Sequence, residues 1–218
     1  MDTHSSRTLL WVKILIVAGM FLAGALLYPK LPDIITTHWG VSGQPDGWMP
    51  KAYGTWLLPG LTLLMTILFP IFSRLDPKQE NYPLFARTWE IIQIAMIAMM
   101  AYIFAVQLYA SIHPEASALV GRFILLGVGA LFVVIGNYMG KIRQNFFVGL
   151  RTPWSLSDPE VWSRSQRFGG WMFVLGGLAF MAEAAIWKYE IPVFIAVITA
   201  VVVVPVVYSY VLYRQRKP

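Results

Sequence analysis

Residues 191–213 read IPVFIAVITAVVVVPVVYSYVLY, a run with no charged side chain. A bilayer's hydrocarbon core is about 30 Å thick, and about 20 apolar residues cross it as a helix rising about 1.5 Å each. Working back along the chain, residues 170–187, 119–138, 91–112, 52–72 and 9–28 form five more blocks of suitable length. The block at 52–72 carries Pro59, Gly60 and Pro70, which a membrane helix tolerates when neighbours re-satisfy the freed carbonyls. The block at 9–28 is longer than a signal-peptide core and lacks a clear small-x-small cleavage site after it, so it reads as a retained helix. The predicted fold class is all-α: a polytopic membrane protein of about six transmembrane helices.

Composition agrees with this reading. Of 218 residues, 57% are hydrophobic and 13% charged, with mean hydropathy +0.61. Soluble domains carry about a quarter charged residues, so one soluble core would not hide this surface. Cysteine is absent, which excludes disulfides. The net charge of +6 matters through its placement, and it implies no direct nucleic-acid partner. Arg7, Arg74, Lys78, Arg87, Lys141, Arg143, Arg151, Arg164, Arg167, Arg214, Arg216 and Lys217 fall on one side of the alternating loops. Only Lys30, Lys51 and Lys188 fall on the other. Positive charge accumulates on the cytoplasmic side, so both termini are expected inside. Trp11, Trp48, Trp56, Trp89, Trp171 and Trp187 lie near span ends, where interfacial anchoring is the expected role.

Three ionisable residues fall inside the blocks. Lys13 lies about a turn from the cytoplasmic end and is expected to snorkel to the interface. Arg122 and Glu183 enter from the outer ends of the fourth and fifth blocks to similar depth, so an intramembrane ion pair is expected.

Two long loops divide the chain into halves, 1–112 with an outer loop at 29–51, and 113–218 with a basic inner loop at 139–169. A long first and shorter second connection recur in each half from opposite sides, the layout of an inverted 3+3 repeat. The outer loop, PKLPDIITTHWGVSGQPDGWMPK, holds Asp33, His38, Trp39 and Asp46. Pro45-Asp46-Gly47 has tight-turn chemistry, and Gly40 with Gly43 marks another bend. Asp33, His38 and Asp46, with His113 and Glu115, match no zinc or calcium spacing, so no metal is expected. Local hydrogen bonding by His38 and turn capping by the carboxylates is the simpler reading.

The inner loop begins GNYMGKIRQNFFVGLRTPW at 136–154. Gly140-Lys141 is not a phosphate-binding P-loop, because Ile135 and Ile142 stand where that motif needs glycine and a hydroxyl residue. Ser157 with Glu160 suggests a capping box, and a short helix over 158–168 should follow. Its apolar residues Val161, Trp162 and Phe168 suggest a helix in the headgroup layer, the alternative being a docking surface for a soluble partner.

The stretch 136–154, continued by Trp162, Arg167 and Gly170, resembles the signature of the SdpI family of bacterial membrane proteins. The outer loop, through Leu31-Pro32-Asp33, His38-Trp39-Gly40, Gly43 and Pro45-Asp46-Gly47, is similar to an N-terminal domain of unknown function common in that family. Gln166 stands where many relatives carry His, and Ser155 where Thr is common. The resemblance implies a multi-pass protein of the bacterial cytoplasmic membrane, without cofactor or catalysis. It also implies immunity to a membrane-active peptide toxin met outside, and capture of a cytosolic repressor inside. On that reading Asn137, Lys141, Arg143, Asn145, Arg151, Thr152, Pro153, Trp154, Trp162 and Arg167 form the partner-binding set. A transporter built around Arg122 and Glu183 is the alternative; a metal-dependent membrane enzyme is the weakest.

Overall fold

The computed structural model describes residues 3–40 and 43–216; Lys217, used in the charge argument, lies outside them. Its six long helices are α1 (Thr3–Leu27), α2 (Lys51–Leu75), α3 (Ala86–Ile112), α4 (Ser117–Met139), α6 (Pro159–Ile186) and α7 (Glu190–Arg216), with a single-turn α5 (Pro153–Ser157) before α6. All six are long and apolar enough to cross a membrane. Leu15, Leu22, Leu26, Leu61, Leu64 and Ile67 are exposed, an outward apolar surface that only a bilayer would cover without aggregation.

Pro59 and Pro70 are accommodated inside α2. The Thr62 hydroxyl donates to the Leu58 carbonyl at 2.7 Å and the Thr66 hydroxyl to Thr62 at 2.8 Å, so side chains supplement the backbone ladder around the prolines.

In the first half α3 packs on both α1 and α2; in the second, α6 packs on both α4 and α7, and α3 meets α4 between the halves. The helix that packs most on both others is third in one half and second in the other. Glycine explains why α4 and α6 approach most closely. A Cβ on Gly129 would lie 2.6 Å from the Gly177 carbonyl, and one on Gly136 would lie 2.6 Å from that of Gly170. Small residues let membrane helices close on one another where the hydrophobic effect offers no drive.

Several expectations change. Instead of lying in the headgroup layer, 158–168 is the first part of the continuous α6, with Val161, Trp162, Ser165, Gln166 and Gly169 on its buried face. Asp158, not Ser157, caps it: the carboxylate accepts the Glu160 and Val161 amides at 2.7 and 3.1 Å. The capping box lies one turn earlier, between Thr152 and Ser155. Pro45, Asp46 and Gly47 are not the outer turn but part of a strand. A small antiparallel hairpin joins β1 (Ile34–Trp39) to β2 (Pro45–Pro50), and the reversal falls at the glycines, where the Gly43 amide donates to the Gly40 carbonyl at 2.8 Å.

Lys13 does not snorkel. It is 5% exposed, 2.6 Å from the Glu90 carboxylate, and donates to Gln93 at 2.8 Å, joining α1 to α3. Trp89 is a core residue rather than an interfacial anchor, packed against Phe69 and Tyr82. Chain direction puts the hairpin at one end of the bundle and the 140–158 loop at the other.

Candidate functional site

The 140–158 loop is folded by its own polar side chains. Asn145 is fully buried: its amide donates to the carbonyls of Arg143 and Val148 at 2.8 and 3.1 Å. Its oxygen accepts the amides of Phe147 and Val148 at 2.9 and 2.6 Å, so donors and acceptors are both satisfied. Gln166, also fully buried on α6, grips Leu150 from both sides, accepting its N–H at 3.1 Å and donating to its carbonyl at 3.0 Å. One imidazole edge does not present an adjacent donor and acceptor in this way, so glutamine here is a backbone clamp. The clamp needs glycine beside it. Gly149 has φ +97°, and a Cβ there would come within 2.7 Å of the Gln166 oxygen.

Other groups fix the loop to the bundle. The Trp162 indole donates to the Ile142 carbonyl at 2.8 Å, and the Thr152 hydroxyl meets that of Ser209 on α7 at 3.0 Å. Asp76, 2% exposed after α2, accepts the Phe146 amide at 2.9 Å, the Tyr82 hydroxyl at 3.0 Å and the Lys78 amide at 2.8 Å. Gln144 receives Lys78 and donates to the carbonyls of Ser155 and Leu156 at 3.0 and 2.8 Å. Sequence reading passed over Asp76 and Gln144. Asp76 had one legible signal, the turn-forming Asp-Pro that it makes with Pro77.

The predicted partner set therefore divides. Asn145, Thr152 and Trp162 are buried and hold the loop; they are not a contact face. Asn137, Lys141, Arg143, Arg151, Pro153 and Arg167 are exposed, and Trp154 is half-buried edge-on to Tyr210. Arg151 also donates to the Phe146 carbonyl at 2.7 Å, so its stem is steadied by the loop. At the edge of this surface Arg216 bridges Asp158, at 3.0 Å, and Glu160. Asp158's carboxyl is held below the usual aspartate range, chiefly by the Val161 amide, then by the Glu160 amide and Arg216.

At the opposite end the hairpin is seated on both halves. Ile35 is buried with Met20, Leu31, Phe104 and Leu108, while Trp39 packs against Val106, Ala110 and Val120. Gly43, at φ +76°, lies on Gly121 of α4 and on Trp187; a Cβ at Gly121 would be 2.8 Å from the Gly43 Cα. His38 pairs locally with Asp46, whereas Asp33 pairs separately with Lys51 at 3.2 Å. His113 and Glu115 form a third pair at 3.2 Å, and no group of three metal-ligating side chains gathers among the described residues. Below the hairpin is a cavity of about 320 Å³ lined by His38, Trp39, Phe180, Trp187, Glu190 and Phe194 among others.

The Arg122–Glu183 pair is not formed. Glu183, 3% exposed, accepts the amides of Lys188 and Tyr189 at 2.7 and 2.5 Å and so closes the turn between α6 and α7. That turn holds Trp187 at φ 51°, an uncommon conformation for a bulky residue. Arg122 instead faces the Trp187 ring, 5.8 Å from its centroid. The transporter reading thereby loses the ion pair, one of the two features that suggested it beside the inverted-repeat layout.

Six apolar spans, a hairpin docked across one end and a polar-clamped loop closing the other define a multi-pass membrane protein. The particular kind follows from comparison. The SdpI/YfhL protein family model matches residues 141–209, from the loop through α6 into α7. A domain of unknown function, DUF1648, matches 15–63, the segment containing the hairpin. Over 205 residues, covering 94% of this chain and 95% of the relative, the sequence is 26% identical to the immunity protein SdpI of Bacillus subtilis (strain 168). The chain is thus SdpI-like along nearly its whole length. No solved structure matches it.

Proposed function

We propose that this chain is a membrane immunity protein, which protects its own cell from a membrane-active peptide toxin and signals through a cytosolic repressor. The observation that carries the reading is the whole-length likeness to the immunity protein SdpI, which includes both the hairpin and the loop. The hairpin end would meet the toxin. Its cavity offers Trp39, Phe180, Trp187 and Phe194 to apolar side chains, with His38 and Glu190 as polar contacts. The loop end would meet the repressor through the exposed side chains of Lys141, Arg143, Arg151, Arg164 and Arg167. This is a binding role, without catalysis or cofactor.

The test is a killing curve. Cells deleted for the gene and exposed to a toxin-producing sibling culture should die faster than the parent, and plasmid-borne wild type should restore survival. Equal survival of deletion and parent across candidate peptide toxins would contradict protection. Retention of a repressor in the membrane fraction should fall with Arg143→Glu and Arg151→Glu together, while the protein's abundance stays unchanged.

A further inference from the structure

Where α3 begins and α4 ends, a cleft of about 510 Å³ opens beside the folded loop, lined by Leu84, Arg87, Thr88, Gly140, Lys141 and Arg143 among others. It differs from the apolar cavities elsewhere because it collects three cationic side chains from separate parts of the chain. Among the described residues Arg87 and Arg143 have no acidic partner, in contrast to Arg164 and Arg216 at the same end, which both reach Glu160. Lys141 is steadied over the Tyr138 ring, 4.8 Å from its centroid. Leu84, 67% exposed, supplies an apolar border.

Position selects the ligand. The cleft sits where two spans leave the hydrocarbon, the depth of lipid headgroups, and basic pockets between helices at that depth suit anionic headgroups. We infer that this cleft binds the phosphate of an anionic phospholipid, with Arg87, Lys141 and Arg143 around the headgroup and Leu84 beside the acyl chains. The site shares Lys141 and Arg143 with the proposed repressor face, but lipid binding is measured on the purified chain and does not rest on the toxin or repressor reading.

The full chain, purified in a neutral detergent, is titrated with cardiolipin, phosphatidylcholine or inorganic phosphate while its melting temperature is followed. Cardiolipin should raise the melting temperature saturably and phosphatidylcholine should not. Combining Arg87→Gln with Arg143→Gln should move half-saturation up roughly thirtyfold, as expected for two cations near an anionic surface. Arg143→Lys should stay near wild type, as should Arg164→Gln, whose side chain lies outside the cleft. The lipid-free melting temperature of each variant reports its folding; if the double variant is unfolded, Arg87→Gln and Lys141→Gln singly carry the comparison. Unchanged half-saturation in the cleft variants, or an equal shift in Arg164→Gln, would overturn the site. Equal stabilisation by millimolar inorganic phosphate would overturn the lipid assignment and leave a soluble phosphate as the ligand.

Discussion

Glu183 shows how a buried charge can serve the backbone instead of a partner charge. Its carboxylate takes two amides of the α6–α7 turn and so supports the left-handed Trp187. Glu183→Gln keeps an acceptor oxygen, whereas Glu183→Ala leaves both amides unpaired, at about 1–3 kcal/mol for each buried group. Thermal unfolding in detergent should therefore rank wild type, then Gln, then Ala; an Ala variant as stable as Gln would contradict this role. Lys13 makes a second case. Lys13→Met alone strands the Glu90 carboxylate and should cost about 3–5 kcal/mol, while Lys13→Met with Glu90→Met should recover most of that loss. If the double variant is no more stable than the single one, the 2.6 Å ion pair is not what holds the two helices. Neither role was legible in the sequence, because a block pattern gives the depth of a charge and not the direction it points.

At the scale of elements, the six spans were legible because each one is long and nearly uncharged. A helix was legible over 158–168, but Arg164, Ser165, Gln166 and Arg167 made it look like a separate helix in the headgroup layer and not the buried start of α6. Yet the buried residues Val161, Trp162, Ser165, Gln166 and Gly169 recur at helical spacing, once a polar residue is allowed to face inward. The hairpin was hidden for another reason. Its strands are short and lack clean alternation, and the turn-like Pro45-Asp46-Gly47 lies inside β2.

Asp158 makes the α6 start pH-sensitive. Its pKa is lowered on folding, so its stabilising contribution is present above the ordinary aspartate value of about 3.9 and fades as pH falls through the lower folded value. Hydrogen-exchange protection of the Glu160 and Val161 amides, corrected for the intrinsic rate at each pH, should fall over that acidic window, and Asp158→Asn should flatten the change. Identical profiles for the two proteins would contradict the cap. Along the helix, Gly136→Leu should force α4 from α6, because even a Cβ would lie 2.6 Å from the Gly170 carbonyl. The expected result is a loss of about 3 kcal/mol, the upper part of the usual overpacking range, read as a lower melting temperature. A variant with wild-type stability would contradict the tight seam.

For the whole molecule, the two ends differ in kind. The hairpin end carries a local His38–Asp46 pair and an aromatic-lined cavity; the loop end carries a clamped backbone under exposed cations. The candidate residues of the loop were found in sequence, but their division of labour was not. Asn145, Thr152 and Trp162 look like recognition residues in a polar loop, and only three-dimensional burial shows that they build the surface which Arg143 and Arg167 present.

The proposed toxin contact at one end and repressor contact at the other both require the hairpin to face outward and the loop to face the cytoplasm. The absence of cysteine makes this testable with single introduced thiols at exposed positions, Gln44→Cys in the hairpin and Ser157→Cys in the loop. In intact cells a membrane-impermeant maleimide should label Gln44→Cys and spare Ser157→Cys until the membrane is opened. Labelling of Ser157→Cys in intact cells, with Gln44→Cys protected, would reverse the orientation and contradict the proposed division of function between the two ends.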